Sequence, residues 1–370
     1  MNRAPAAASV TWPVYNAMLN ELVETLDRVG KPTEEFRSPD GSTVLLLPYG
    51  GRVLGLFASG APENFYWTHP ALREVQSAQA FYTGGAWHNS GGDRTWLAPE
   101  VDIFFPRYPD LDMSTYWQPR QLDPGDYQVV RENGAVRLVN RLTLTLSRSK
   151  EQVALEMAKW VGPASNPLRY EPGWTSEDSV RYAGYTQHTS LALAEPGRET
   201  SAKIGLWNLV QMPHGGDLLV PTYSQAEPKV YMGQIGPADL IVTSQLVRYR
   251  MRAHGEHKIG LRAAAMTGRV GYCYPAGDGE SALIVRSFFV NPSGEYVDVP
   301  WREPGNFGFA IQACNVDSGL GSFSELEYHV PAIGAGTGLA SYEDVSQIWA
   351  FRGPAGSIRS IARRLLSPEI

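Results

Sequence analysis

The chain has 370 residues, of which 43% are hydrophobic and 11% aromatic, and it carries a net charge of −6. An acidic chain without a cluster of Lys and Arg is not expected to bind nucleic acid. Its two cysteines, Cys273 and Cys314, are too few for a disulfide scaffold or a zinc ribbon. No segment stays apolar over the roughly 18 residues that a membrane helix needs, so no membrane partner is expected.

The N-terminal segment predicts a helix and shows no export signal. Residues 1–16 lack the apolar core of a signal peptide, which favours a cytoplasmic protein; a periplasmic or secreted protein is the alternative if a leader has been removed. From Trp12 to Val29, apolar residues recur at three- and four-residue steps, and Gly30 and Pro32 end the pattern. We therefore assign residues 1–40 to a helical extension and residues 41–370 to a single β domain.

Strand signals dominate the rest of the chain. Short runs rich in apolar residues are separated by turn signals, of which Asn133-Gly134 is the strongest. The runs are residues 42–48, 52–57, 64–67, 101–105, 127–132, 135–140, 142–148, 151–161 (a strand or a short helix), 182–193, 203–210, 217–221, 240–252, 258–266, 269–274, 282–289, 307–315 and 322–329. About fifteen strands with hardly a helix between them predict an all-β fold, a large antiparallel sandwich.

A glycine-rich stretch, Phe81 to Glu100, carries candidate binding residues. Its pairs Gly84-Gly85 and Gly91-Gly92 permit a positive φ and close approach of two backbones. Trp87 and Trp96 offer flat apolar faces beside polar side chains. This combination is typical of a site that holds a polyhydroxylated ring. The alternative is a turn-rich region whose tryptophans fill the core.

A second candidate site is the run Phe323 to His329. In a strand, Glu325, Glu327 and His329 share one face, while Leu326 and Tyr328 share the other. Two neighbouring carboxylates raise the pKa of one of them, which suits general acid–base chemistry. The same face offers ligands for a divalent cation, and a solvated edge strand is a third interpretation.

Other polar motifs are less specific. Glu256, between His254 and His257, fits an exposed hairpin tip better than a metal site, and Lys258 is either an inward-pointing cationic ligand or an edge residue. No nucleotide-binding loop and no serine-hydrolase elbow occurs in the sequence, so no nucleotide cofactor is expected.

The order of several motifs resembles that of the galactose-mutarotase-like proteins, and most nearly an uncharacterised branch related to the aldose 1-epimerases. The resemblance spans about Val44 to Phe351. The motifs that carry it are Tyr49-Gly50-Gly51-Arg52-Val53, Gly91-Gly92-Asp93-Arg94-Thr95-Trp96 followed by Ala98-Pro99-Glu100, Gln187-His188-Thr189, Leu206-Trp207-Asn208-Leu209-Val210-Gln211, Lys258-Ile259-Gly260 and Glu325-Leu326-Glu327-Tyr328-His329.

The resemblance implies a β-supersandwich of the galactose mutarotase type that binds a sugar or glycoside in a groove on its concave sheet. Enzymes of this kind open the sugar ring with a carboxylate base and a histidine acid. Transferred to this chain, the acid would be His188 and the base Glu327, or with less support Glu325. The substrate-binding residues would be His88, Asp93, Arg94, Trp96, Trp87, Glu100 and Lys258.

Three functions are compatible with these motifs. The favoured one is an aldose 1-epimerase-like isomerase that requires no cofactor. The second is a glycoside-cleaving lyase or hydrolase, assisted by a divalent cation on Glu325, Glu327 and His329, or on His88. The third is a carbohydrate-binding module without catalytic activity.

Overall fold

The computed structural model describes residues 18–132, 135–174, 179–197 and 200–370. The α-helices of these residues are α1 (Leu19–Arg28), α2 (Val75–Thr83), α3 (Glu100–Ile103) and α4 (Ala355–Leu365). Their strands are β1 (Glu34–Arg37), β2 (Thr43–Leu47), β3 (Arg52–Phe57), β4 (Asp93–Ala98), β5 (Gln128–Glu132), β6 (Ala135–Thr145), β7 (Gln152–Pro163), β8 (Arg181–Leu193), β9 (Lys203–Pro213), β10 (Asp217–Pro221), β11 (Lys229–Met232), β12 (Leu240–Val242), β13 (Leu246–Arg250), β14 (Gly255–Leu261), β15 (Arg269–Gly277), β16 (Glu280–Ser287), β17 (Ile311–Ser318), β18 (Gly321–His329), β19 (Ile333–Gly334) and β20 (Ser341–Pro354).

These strands form two antiparallel sheets, each of ten strands, which confirms the predicted all-β sandwich. Sheet A has the order β1-β2-β3-β4-β9-β18-β17-β14-β11, and β19 pairs with β9 beside this path. Sheet B has the order β12-β13-β10-β15-β16-β20-β8-β7-β6-β5. Many neighbouring strands lie far apart in the sequence, so long-range pairing determines which sheet a strand joins.

The main hydrophobic core lies between the two sheets. It contains Leu326 and Tyr328 of β18 in sheet A together with Ile348 and Ala350 of β20 in sheet B. Because side chains alternate along a strand, Glu327 points away from this core, toward the outer face of sheet A. The sequence predicted this division of β18 into an apolar and a charged face.

Helices cover parts of both outer faces. Leu22 of α1 and Ala78 of α2 pack with Leu45 of β2 on sheet A. Ile358 of α4 packs with Leu283 of β16 on sheet B. The outer face of sheet A around β4, β9, β18, β17 and β14 is instead covered by loops, and this is where the cavity described below lies.

The structure differs from the sequence predictions in several segments. Residues 64–67 are not a strand, because the side chain of Asn64 accepts hydrogen bonds from the backbone N–H groups of Leu56 and Tyr66 and so takes the place of a strand partner. Residues 101–105 are largely helical, because α3 begins at Glu100. Every residue of this helix is buried, so its sequence lacks the alternation of apolar and polar residues that would indicate a helix.

The boundaries at the N-terminus also differ. Strand β1 begins at Glu34, inside the segment that we assigned to the helical extension. The part of the predicted helix before residue 18 and the predicted turn at Asn133-Gly134 lie outside the described residues. In the described part of the chain, no helix has the length and apolar character that a membrane crossing requires.

Candidate functional site

A cavity of about 280 Å³ lies against the outer face of sheet A. Its walls combine four indole rings with charged side chains of both signs. The lining consists of Trp87, Arg94, Trp96, Glu100, Met113, Tyr116, Gln118, Trp207, Met232, Glu256, Lys258, Trp301, Cys314, Val316, Leu320, Phe323 and Glu325. An apolar cavity with a few convergent polar groups is the usual form of a small-molecule site.

The register of sheet A brings the polar residues beneath the cavity together. Directly opposite partners on neighbouring strands form two adjacent rows. One row contains Gln211, Glu325, Cys314 and Lys258, and the next contains Arg94, Leu209, Glu327 and Gln312. Residues from β4, β9, β14, β17 and β18 thus converge although they are distant in the sequence.

Arg94 and Glu325 form a buried ion pair in the cavity wall. Nη2 of Arg94 donates to Oε1 of Glu325 at 2.8 Å, and Nε2 of Gln211 donates to the same oxygen at 2.9 Å. The guanidinium carbon of Arg94 lies 4.1 Å from the ring centroid of Trp96 and 5.3 Å from that of Trp87. Nε and Nη1 of Arg94 are buried without a hydrogen-bond partner. These two nitrogens are therefore donors that the described part of the protein does not use.

Lys258 lies between two carboxylates. Its Nζ is 3.4 Å from Oε2 of Glu100 and 3.4 Å from Oε2 of Glu327. The ammonium group also lies 4.3 Å from the ring centroid of Trp207. Burial acts to lower the pKa of Lys258, but Glu100 and Glu327 outweigh it and raise that pKa well above its usual value. Lys258 therefore carries its proton, and with it a positive charge, at the floor of the cavity.

The two carboxylates beside Lys258 differ in their hydrogen bonds. Glu100 accepts from Tyr116 Oη at 2.7 Å and from Trp301 Nε1 at 2.6 Å. Glu327 accepts from Trp207 Nε1 at 2.8 Å, and its Oε1 is buried without a partner. Burial raises the pKa of Glu327 to about 8; Lys258 opposes the rise, while Glu325 and Glu100 add to it. Burial and the neighbouring carboxylates therefore favour the protonated form of Glu327, whereas Lys258 favours the ionised form.

Asp123 fixes two of the indole rings from behind. Its Oδ2 accepts from Trp87 Nε1 at 3.1 Å and from Trp96 Nε1 at 3.0 Å. The same oxygen accepts from Nη2 of Arg52 at 2.8 Å, so the buried carboxylate has a counter-charge. Because Arg94 stacks on these indoles, Asp123 also determines where the guanidinium lies.

The two glycines before β4 allow this strand to enter the sheet. Gly91 and Gly92 have φ values of +98° and +73°, as the sequence predicted for this pair. A Cβ atom at either position would lie 2.3 Å from a backbone carbonyl oxygen, that of Trp67 or Val53. Gly84, by contrast, has a φ of −66° and needs no glycine for its conformation.

The predicted site residues thus divide into those that lie at the cavity and those that lie elsewhere. The residues at the cavity or directly beneath it are Trp87, Arg94, Trp96, Glu100, Lys258, Glu325 and Glu327. The structure places His188, Asp93 and His88 at other locations.

His188 does not lie near Glu327. On β8, Tyr185 points toward sheet A and donates to Asp93, so His188, at the opposite parity, points to the outer face of sheet B. There its ring stacks on Trp160, with centroids 4.9 Å apart. Since Glu327 points to the outer face of sheet A, the whole sandwich separates the two side chains, and the expected pairing of His188 with Glu327 is wrong.

Asp93 lies in the core between the sheets. Its Oδ2 accepts from Tyr185 Oη and from Arg286 Nη1, both at 2.8 Å, and Lys159 Nζ lies 3.7 Å from its Oδ1. Its side chain is fully buried. Asp93 therefore connects the two sheets and does not face the cavity, contrary to the expectation that it would hold a sugar hydroxyl.

His88 belongs to an aromatic cluster beside α2. Tyr49 Oη lies 2.5 Å from its Nδ1, and its Nε2 lies 3.1 Å from the carbonyl oxygen of Gly84. A carbonyl oxygen only accepts, so Nε2 carries the proton and Tyr49 donates to Nδ1. Both ring nitrogens are engaged within the protein, and His88 does not line the cavity.

A divalent cation has a candidate ligand group at the cavity, but with Cys314 in place of His329. Ligand atoms of Cys314, Glu325 and Glu327 lie within 4.8 Å of one another. Nε2 of His329 instead lies 2.8 Å from Oε1 of Gln312. Arg94 and Lys258 already compensate the two carboxylates, so a cation would have to displace a positive side chain.

Sequence reasoning missed several residues of this site. Glu256 was assigned to an exposed hairpin tip, although its position two residues before Lys258 on β14 gives it the same face. Trp301, Tyr116 and Asp123 lie outside regular strands, so no periodicity indicates where they point. Cys314 faces the site because β17 pairs with β18, a pairing that composition does not reveal.

The fold and the site together define a two-sheet antiparallel β-sandwich with a tryptophan-walled, charged cavity on one outer face. The chain belongs to DUF6786, a family of unknown function whose sequence profile matches residues 23–370. No curated protein matches the chain in sequence.

Several solved structures are similar to the chain. Galactose 1-epimerase from Lactobacillus acidophilus NCFM has 9% identity and a TM-score of 0.40, and the match covers 87% of this chain and 94% of that one. HI1317 has 9% identity and a TM-score of 0.38, with 86% and 92% covered. An α-galactosidase from Lactobacillus brevis has 13% identity and a TM-score of 0.31, with 87% and 39% covered.

Proposed function

We propose that the cavity on sheet A binds a single sugar ring and that the chain is an aldose 1-epimerase-like isomerase. The observation that carries this proposal is the placement of Glu325 and Lys258 in the wall of a cavity lined by four indoles. Indole faces cover the C–H patches of a sugar ring, while carboxylate, guanidinium and ammonium groups bind its hydroxyls. A volume of about 280 Å³ suits one ring better than an oligosaccharide.

The proposed reaction moves one proton onto the protein and one proton off it. Glu325 takes the proton of the anomeric hydroxyl, the bond between the anomeric carbon and the ring oxygen breaks, and a carbonyl forms. Lys258 donates to the ring oxygen and stabilises the negative charge that develops there. The new carbonyl group then rotates about its bond to the rest of the sugar chain. Ring closure with both proton transfers reversed gives the other anomer. The step needs no oxidant and no cofactor.

Glu327 is the positioning residue of this scheme. It is fully buried and does not line the cavity, but it contacts the ammonium group of Lys258 at 3.4 Å. Together with Glu100, Glu327 holds the ammonium group of Lys258 in its position at the floor of the cavity. The resemblance implied Glu327 as the base, with Glu325 as the second choice; we assign that role to Glu325, which is two residues away on the same face.

Exchange between the α and β anomers of several aldoses, followed by NMR, tests the proposal. We expect the wild-type protein to accelerate exchange and Glu325→Gln to lose at least about 100-fold of that acceleration, since an amide cannot accept the proton. His188→Gln is the control and should retain the wild-type rate. Full activity in Glu325→Gln would exclude Glu325 as the base, and no acceleration with any aldose would exclude the isomerase.

Metal-assisted cleavage of a glycoside is the second candidate, because Cys314, Glu325 and Glu327 offer three ligand atoms close together. Elemental analysis of the purified protein separates the two candidates. A stoichiometric divalent cation that is lost in Cys314→Ser, together with glycoside cleavage and no anomer exchange, would favour this second function. Saturable sugar binding without turnover would leave a binding module.

A further inference from the structure

Both cations of the cavity are already compensated by carboxylates of the protein. Arg94 pairs with Glu325 at 2.8 Å, and Lys258 contacts both Glu100 and Glu327. The side chains of Arg94 and Lys258 are only 2% and 5% exposed. An anionic ligand would therefore find no free positive charge among the described residues that line the cavity.

The cavity lining contains one carboxylate without a cationic partner. Glu256 accepts a hydrogen bond from Ser318 Oγ at 2.8 Å, and among the described residues no Lys, Arg or His lies within 4 Å of its carboxylate. It is partly exposed, whereas Glu100 and Glu325 are buried. Lining carboxylates outnumber lining cations, so the ionised lining carries more negative than positive charges.

Arg94 adds a requirement that is independent of net charge. Its Nε and Nη1 are buried without a partner in the wall of the cavity. Because Glu325 already balances the charge of the guanidinium, these donors suit a neutral oxygen such as a hydroxyl. A ligand that satisfies them needs no negative charge of its own.

We propose that the cavity selects its sugar by charge, accepting neutral and amino sugars and rejecting sugar acids and sugar phosphates. This inference rests on the proposed function, because it names the class of sugar that the same site takes. The carboxylate of Glu256 attracts an ammonium group and repels a carboxylate or phosphate group. Among the described residues, no cation of the lining is free to reverse that preference.

Matched ligand series test the proposal. The first series is glucose, glucosamine, glucuronate and glucose 6-phosphate, with the corresponding galactose compounds beside it. The second series, cyclohexanol, cyclohexylamine and cyclohexanecarboxylate, varies charge without sugar hydroxyls. Dissociation constants are measured by ligand-observed NMR at low ionic strength, and again at high ionic strength, where screening weakens charge effects.

We expect glucosamine or galactosamine to bind at least tenfold more tightly than the corresponding acid, with the neutral sugar between them. Glu256→Gln should reduce the ratio of the acid's dissociation constant to that of the amino sugar about three- to tenfold, as expected for one partly exposed charge. The control Glu343→Gln removes the same charge from an exposed position on sheet B and should leave the ratio unchanged.

The outcomes separate this inference from the proposed function. If no sugar binds while cyclohexylamine still binds better than the carboxylate, the isomerase proposal fails, and the preference of the cavity for cationic over anionic ligands stands without a sugar as its ligand. A carboxylate or phosphate that binds as tightly as its amine or neutral counterpart would overturn charge selection. Absence of binding in both series would exclude the cavity as a ligand site and remove both proposals.

Discussion

Asp93 and Arg94 are neighbours in the sequence but belong to different buried charge clusters. Asp93 points between the sheets and joins Arg286, Lys159 and Tyr185. Arg94 points outward and joins Glu325 at the cavity. The inner cluster is enclosed by core, whereas the outer one borders a cavity. The comparison shows that burial and ion pairing alone do not identify a site; adjacent space for a ligand is also needed.

The largest predicted effect on stability comes from the inner cluster. Asp93→Asn should lower the free energy of unfolding by about 3–5 kcal/mol, because it leaves Arg286 and Lys159 buried without a counter-charge. Chemical denaturation measures this loss. Glu280→Gln, which breaks a half-exposed pair with Arg181, is the control and should cost less than about 1 kcal/mol. Equal losses in the two variants would show that the inner cluster is not essential to the fold.

The second prediction concerns the pH dependence of the outer cluster. Burial raises the pKa of Glu327 from 4.5 to about 8, so the folded state holds this proton more tightly than the unfolded state. The resulting stability is fully present below about pH 4.5 and is lost as the pH rises toward 8. Glu327→Gln cannot ionise and should lack this loss, which a pKa rise of this size puts at several kcal/mol.

Lys159 in the inner cluster should behave in the opposite way. Burial lowers its pKa to about 8, so between about pH 8 and its usual value of 10.5 the unfolded state binds more protons. Its contribution to stability therefore rises with pH in that window. Denaturation curves of wild type, Glu327→Gln and Lys159→Met between pH 4 and 10 measure how the free energy of unfolding changes with pH in both windows. If both variants keep the pH dependence of the wild-type free energy of unfolding, neither Glu327 nor Lys159 is its source.

A smaller effect is expected from the indole ring that bridges Asp123 and Arg94. Trp96→Phe removes the hydrogen bond to Asp123 and weakens the contact with the Arg94 guanidinium. The free energy of unfolding should fall by about 1–2 kcal/mol, and sugar affinity should fall with it. Trp117→Phe, on a ring that is 48% exposed, is the control and should change neither quantity. Unchanged affinity in Trp96→Phe would remove this ring from the proposed site.

The smallest effect should come from His188. Its ring stacks on Trp160 at the outer face of sheet B, so His188→Gln should cost only about 0.5–1 kcal/mol of stability. Anomer exchange should continue at the wild-type rate. A loss of exchange without a loss of stability would show that the outer face of sheet B takes part in the reaction.

Alternation along single strands made much of this structure predictable. The sequence correctly separated Glu325 and Glu327 from Leu326 and Tyr328, and the density of strand signals gave the antiparallel sandwich. Pairing between distant strands was not predictable: His188 lies opposite Val345 in sheet B, whereas Glu327 lies opposite Leu209 in sheet A. Local patterns do not determine the sheet to which a strand belongs. This explains why His188 was wrongly expected to be the acid beside Glu327.

The alignment of β18 with β9 and β17 has a further consequence for how this protein can change over evolution. Insertion or deletion of a single residue within β18 would turn Leu326 and Tyr328 outward and bury Glu325 and Glu327 in the core. Both folding and ligand binding would be lost in one step. Changes of specificity are therefore accessible through point substitutions on the strands and through length changes in the loops that carry Tyr116 and Trp301, while the length of β18 itself has to stay fixed.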